Sequence, residues 1–249
     1  VSVMVTIAST TVQTVFNRGE EEPMTRLNTV WTVVLAIVTI TLTVTASQAP
    51  TAQRPDPRSI RLRGDRFAPL TWDAMTPAQK TFIEHLLAGP RGGSTEGPFN
   101  VQLRSPEMGD LGQQFGAATR FATTVPQKLY ELAILITARH WTAQFEWTAH
   151  HRSALRAGLS PAIADAIAVG RRPAAMQPDE EAVYDFGTEL LQTKQVSDRT
   201  FAAAKRVLGE RGVVDLISVM GWYGTVSMYL NVDRYPLPDG AQPELKPLQ

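Results

Sequence analysis

The side chains best suited to chemistry stand in one stretch, Gln144-Phe145-Glu146-Trp147-Thr148-Ala149-His150-His151. On a helix Glu146 and His150 are i and i+4 and share a face. A carboxylate bonded to an imidazole, and partly desolvated by Phe145 and Trp147, can take up or deliver a proton. The same spacing on an exposed helix makes an ordinary ion pair, contributing roughly a few tenths of a kcal/mol. Glu131 is a further candidate acid. It interrupts the apolar run from Leu129 to Leu135, so it either faces solvent or is buried with a partner. In one straight helix Glu131 and Glu146 would stand roughly 22 Å apart. Only a chain reversal near Arg139–Thr142 lets them cooperate, and neither glycine nor proline marks one there. With Glu131 as third ligand, Glu146 and His150 could hold a metal ion; the metal-free reading is preferred. Of the other histidines, His151 points about 100° away from His150 and reads as surface or interface. His140 belongs near the turn, and His85 is structural on an amphipathic helix.

Composition narrows the chemistry. The 249 residues contain no cysteine, which excludes disulfides, thiol nucleophiles and cysteine-held metals. Lys plus Arg and Asp plus Glu both number 24, so the chain lacks the basic footprint of a nucleic-acid binder. The loop 89–97 is glycine-rich but has no Gly-Lys-Ser/Thr, so a phosphate-cradling reading is weak.

The elements that must position these residues read as all-α. Thr76-Pro77-Ala78-Gln79 is a capping box opening a helix to about Ala88. Ser105-Pro106 opens one to about Phe121, and Thr124-Val125-Pro126-Gln127 reads as another capping box, starting the Glu131 helix. The Glu146–His150 helix covers roughly Thr142 to Ala157 and stops at Gly158. Ser160-Pro161, Pro178 and Ser197-Asp198 open three more, the last ending near Gly209 or Gly212, and an eighth spans about 213–230. No alternating strand pattern competes, so the class is a compact helical bundle.

Outside the bundle, residues 1–23 read as an upstream or non-native extension, ending in an acidic run and Pro23. Residues 24–49, with Met24, Arg26 and an uncharged run from Val30 to Val44, read as a signal peptide or N-terminal anchor. That makes the protein exported, periplasmic or secreted, with a membrane contact only through an uncleaved leader. Residues 50–69 read as an extended linker, 70–235 as the helical domain and 236–249 as an irregular tail.

The stretch from Glu131 to Gly158, ELAILITARHWTAQFEWTAHHRSALRAG, resembles the carboxymuconolactone decarboxylase family within the alkylhydroperoxidase-D-like superfamily. The family motif is a Glu, eleven residues, Cys, two residues, Cys, three residues and His. Glu131 and His150 match its ends, while Ala143 and Glu146 stand at the cysteine positions. Peroxidase chemistry needs both thiols and is not carried over; Gln-Phe-Glu-Trp resembles the cysteine-free branch. The stretches Gly97-Pro98-Phe99-Asn100, Arg104-Ser105-Pro106-Glu107 and Leu208-Gly209-Glu210 with Trp222-Tyr223 and Asn231 extend the likeness over about 70–235.

The resemblance implies the alkylhydroperoxidase-D-like fold and supplies the missing reversal between the two helices. It implies a carboxy-lyase without cofactor or metal, acting on a small lactone or cyclic carboxylic acid. His150, Glu146 and Glu131 would handle the proton. Arg139, Asn100, Trp147 and Tyr223 are the candidates for holding substrate, with Arg104, Arg120 and Trp222 as further possibilities. It also implies a homo-oligomer, trimer or hexamer. Another reaction on the same scaffold (isomerase, hydrolase or metal-assisted), or an exported binding protein without chemistry, stands as the alternative, because fold and function separate easily.

Overall fold

The coordinates are a computed structural model that describes residues 55–247 apart from Gly92. The extension expected at 1–23 and the leader at 24–49 lie outside the described residues. Within those residues all regular structure is helical. Two short 3-10 turns, Pro57–Ser59 and Trp72–Ala74, precede α1 (Pro77–Ala88), α2 (Phe99–Gln102), α3 (Pro106–Phe121), α4 (Gln127–Trp141), α5 (Gln144–Arg156), α6 (Pro161–Ala168), α7 (Pro178–Thr193) and α8 (Asp198–Asp233).

Local chemistry explains most of the boundaries. Thr76 and Gln79 form the reciprocal capping box, and proline opens α1, α3, α6 and α7. The capping box read at Thr124–Gln127 does not form. Pro126 is the N-cap and has no side chain to offer, and the Thr124 amide and hydroxyl instead both donate to Asp215 Oδ2 on α8, each at 2.7 Å. The two helices read near 198–209 and 213–230 are one run broken at Gly209, whose φ of 71° lies in the left-handed region that glycine tolerates. The one-turn α2 has no sequence signal of its own.

Helix α4 is the axis of the bundle. It packs against α5, α6, α7 and α8, and every residue from Leu129 to Arg139 is buried. A helix buried on all sides has no solvent stripe, which leaves Glu131 no route to water. The main core gathers Leu132, Leu135, Phe186, Leu216 and Val219 around it. A smaller core joins Leu62 and Met75 to α1 and to Phe99 and Leu103.

The ends of the described chain are irregular but fastened. Fully buried Asp233 accepts from the amides of Asp65 (3.2 Å) and Phe67 (2.8 Å), tying residues 65–67 to the end of α8. In the tail, Leu245 is buried and Gln144 bonds both its amide and its carbonyl.

Helices α3 and α8 meet at Gly112 and Gly116, which lie flat against the Trp222 indole. A Cβ on Gly116 would clash with Cε2, Cζ2 and Nε1 of that ring. Gly116→Ala should therefore destabilise the protein by about 1–3 kcal/mol through overpacking, despite alanine's better helix propensity. Urea denaturation of the two proteins checks this; equal or higher stability of the variant refutes the packing.

Candidate active site

The reversal that joins Glu131 to His150 is built at Thr142. Its φ and ψ, 49° and 40°, are left-handed. The Thr142 amide bonds Arg139 O (3.0 Å) and the Ala143 amide bonds Ala138 O (2.9 Å), the pairing of a Schellman cap. Glycine normally fills that position, and Thr142 fills it here while its hydroxyl accepts from Arg139 Nη2 at 3.0 Å. Helix α5 then turns back along α4 and brings its first turns beside Glu131.

Three ionisable groups meet as a result. His150 Nδ1 lies 2.6 Å from Glu131 Oε2, and His150 Nε2 lies 3.0 Å from Glu146 Oε1. Gln127 Nε2 donates to the other Glu131 oxygen at 2.6 Å, one turn earlier on α4. Glu131 is 1% exposed, Glu146 4% and His150 8%. Burial acts to lower the His150 pKa, but the Glu146 charge and hydrogen bonds to both carboxylates overcome it and raise it from 6.5 to about 9. At neutral pH the ring is therefore an imidazolium, hydrogen-bonded through Nδ1 to Glu131 and in ion-pair contact through Nε2 with Glu146.

This imidazolium borders a cavity of about 460 Å³, large enough for a small molecule. Glu146, His150 and Tyr223 line it, whereas Glu131 lies behind the imidazole. Phe99, Phe145, Trp222 and Val226 add apolar wall, with Phe121 beside Arg120, and Ser94 and Glu96 add polar groups from the loop before α2. Arg91 and Arg120 also line it and, among the described residues, neither has a carboxylate partner. Arg91 is half-buried, its Nε has no hydrogen-bond partner, and desolvation lowers its pKa. Guanidiniums without a carboxylate partner can hold an anion, here in a hollow that Glu96 and Glu146 also line.

The Tyr223 ring stands edge-on to His150, centroids 4.9 Å apart, and its hydroxyl is 2.8 Å from that of Tyr130. Burial raises both phenols, Tyr130 to about 12, so both are neutral donors. Each hydroxyl has one proton, and Tyr130 does not line the cavity. When Tyr130 donates to Tyr223, the Tyr223 proton is the one left free for the cavity.

Several expected substrate residues lie elsewhere. Arg139 is two turns beyond Glu131 and bonds Ala168 O, Lys246 O and Thr142. Asn100 Nδ2 is committed to Phe67 O at 2.6 Å, and Arg104 bonds Ala68 O. Trp147, rotated about 100° from Glu146, faces the tail and donates to Glu244 at 3.1 Å. His151 bonds the same carboxylate, and His85 pairs with Asp110. His140 stays in the last turn of α4, outside the cavity wall. Arg120, Trp222 and Tyr223 do line the cavity. Arg91 carries no sequence signal, because one arginine in a glycine loop has no periodicity.

No protein-family model matches the chain, and no curated protein matches it. Among solved structures, it is similar to the crystal structure of an Agrobacterium tumefaciens protein of unknown function, described as a candidate antioxidant-defence protein AhpD. The TM-score is 0.50 at 15% identity, covering 57% of this chain and 99% of that one. The likeness is one of fold, and the fold is AhpD-like.

Because the folded-state pKa of His150 is raised, its charge stabilises the fold fully below pH 6.5 and this contribution is lost as pH rises to about 9. Denaturant unfolding of the wild type should show stability falling across that window, with the fall much reduced in His150→Gln. Parallel pH profiles for the two proteins would contradict the ion triad.

Proposed function

We propose that this protein is a cofactor-free carboxy-lyase resembling 4-carboxymuconolactone decarboxylase, acting on a small lactone or cyclic carboxylic acid. The observation that carries the reading is the imidazolium of His150, held between Glu131 and Glu146 on the wall of a cavity that also presents two guanidiniums without a carboxylate partner among the described residues.

The reaction needs three things from the chain. Anionic substrate must be held, and Arg91 and Arg120 supply the charge in place of Arg139 and Asn100. The carbon–carboxylate bond then breaks, CO₂ leaves, and the electron pair passes to the conjugated lactone carbonyl as an enolate. Apolar walls at Phe99, Phe145 and Val226 favour the loss of charge from the departing carboxylate. The Tyr223 hydroxyl, oriented by Tyr130, can donate to the enolate oxygen.

Last, a proton must reach the enolate carbon. Glu131 occupies Nδ1 from the buried side and fixes the ring, so the proton leaves from the Nε2 side, where Glu146 borders the cavity. Solvent then restores the proton to His150. One proton is taken up and one CO₂ released per turnover. The lactone carbonyl accepts the electrons, so the proposal calls for no cofactor. Thiol-dependent peroxidase chemistry is closed to a sequence without cysteine.

A homo-oligomer belongs to the same proposal. Met108, Leu111 and Phe115 on α3, with Val214 and Ile217 on α8, are large apolar side chains left exposed, and patches of this kind serve as association surfaces. Sedimentation should find a species larger than the monomer, and replacing Leu111 and Val214 with glutamate should dissociate it. A monomeric wild type would remove this part of the proposal.

A screen of lactone acids against purified protein tests the activity. His150→Gln should lose at least about a thousandfold in kcat with its circular dichroism unchanged, and Arg120→Gln should act mainly on KM. Wild-type kcat should fall as pH rises through about 9, where the imidazolium is lost. A fully active His150→Gln protein would overturn the mechanism.

A further inference from the structure

On the far side of α4 lies a second hollow, of about 120 Å³, which shares no lining residue with the first. It is enclosed by the C-terminal part of α4, the end of α6 and the outer half of α7. Ile136, Ile167 and Leu191 give it an apolar interior, while Arg139 and Arg171, with His140, Tyr184, Thr188 and Gln192, supply the polar groups. No acid lines it.

Arg139 is the unusual member. It is 4% exposed, yet its partners are all neutral: Ala168 O at 3.0 Å, Lys246 O at 2.9 Å and the Thr142 hydroxyl at 3.0 Å. Its Nε meets no acceptor. A buried guanidinium is normally matched by a carboxylate, and none is found here among the described residues. The nearby acids of α7 are already committed, Glu181 and Asp185 both to Arg172. Arg171 has no carboxylate partner among the described residues either. The hollow thus combines an excess of positive charge, an unused buried donor and an apolar interior about large enough for one six-membered ring.

We propose that this hollow is a binding site for a small organic carboxylate with a compact apolar body, its carboxylate held by Arg139 and Arg171 and its body against Ile136, Ile167 and Leu191. An inorganic anion would leave those apolar side chains without a partner, and a neutral ring would leave the guanidiniums unmatched. The site lies eight residues along α4 from Glu131, about 12 Å at helical rise, so it is distinct from the proposed active site and requires no turnover to be detected.

Benzoate and its neutral analogue benzamide, titrated into the full chain by calorimetry and by NMR, test the proposal. Benzoate should perturb α6 and α7 amides and bind at least tenfold tighter than benzamide. Leu191→Trp, which fills the hollow, should abolish that binding, and exposed Arg171→Gln should weaken it at least fivefold without risk to the core. Arg120→Gln, in the first cavity, should leave it unchanged. Equal affinity for benzamide, absence of binding, or full affinity in both hollow variants would overturn the site. Loss confined to Arg120→Gln would assign the carboxylate to the first cavity instead.

Discussion

The arrangement rests on the cost of burying Glu131. Ionised carboxylate in the middle of a helix that is enclosed on every side is tolerable only with a cation and hydrogen bonds at hand. His150 supplies the cation and Gln127 the second hydrogen bond. Once His150 is charged, a second acid on its other nitrogen can also be buried, and Glu146 takes that place one turn earlier on α5. The acid Glu146 and the His150 imidazole border the cavity together with Glu96, Arg91 and Arg120, and among the described residues neither arginine has a carboxylate partner. Opposite charges held apart across a hollow leave both with capacity for a ligand, which a closed salt bridge would have consumed.

The irregular ends of the described chain serve the same geometry. Tyr235 packs on Phe145, with ring centroids 4.6 Å apart, and its hydroxyl accepts from the Gly97 amide at 3.0 Å, so the start of the tail fixes one edge of the cavity loop. Further on, Glu244 joins Trp147 to His151 and Leu245 is gripped by Gln144, all on α5. The helix bearing Glu146 and His150 is thus pressed onto α4 from outside by a segment with no regular structure. A 249-residue chain without disulfides can hold a polar cluster in place when its neighbours are pinned by such side-chain-to-backbone bonds.

Much of this was legible in the residues, and the parts that were not share a cause. Helical spacing pairs Glu146 with His150, and an acid inside an apolar run marks Glu131 as out of place. Those signals are local and survive in any fold that keeps the helices. The reversal between them was hidden because Thr142 adopts a conformation for which glycine is the usual marker. The anion-holding residues were misread for a different reason. Arg139 and Trp147 are near the motif in sequence but are rotated or carried away from it by the helix, Asn100 on α2 is committed to Phe67 O, and Arg91 arrives from a loop forty residues before Glu131. Which arginine faces a cavity is decided by tertiary packing, and a single sequence records no pattern for it.

The chemistry follows from what stands at two positions. In the motif that this sequence resembles, the residues before the histidine are thiols, able to exchange electrons with a peroxide through a disulfide. Here the corresponding residues are Ala143 and Glu146. Ala143 is fully buried, and Glu146 bonds the imidazole at 3.0 Å. A carboxylate cannot form a disulfide, but beside an imidazolium it can accept, hold and return a proton. In the proposed reading, the Glu and His of the motif serve proton transfer here, where the motif's thiols would serve electron transfer. That change needs no new element of the fold: burial alone would lower the His150 pKa, and the two flanking carboxylates outweigh it and raise it to about 9.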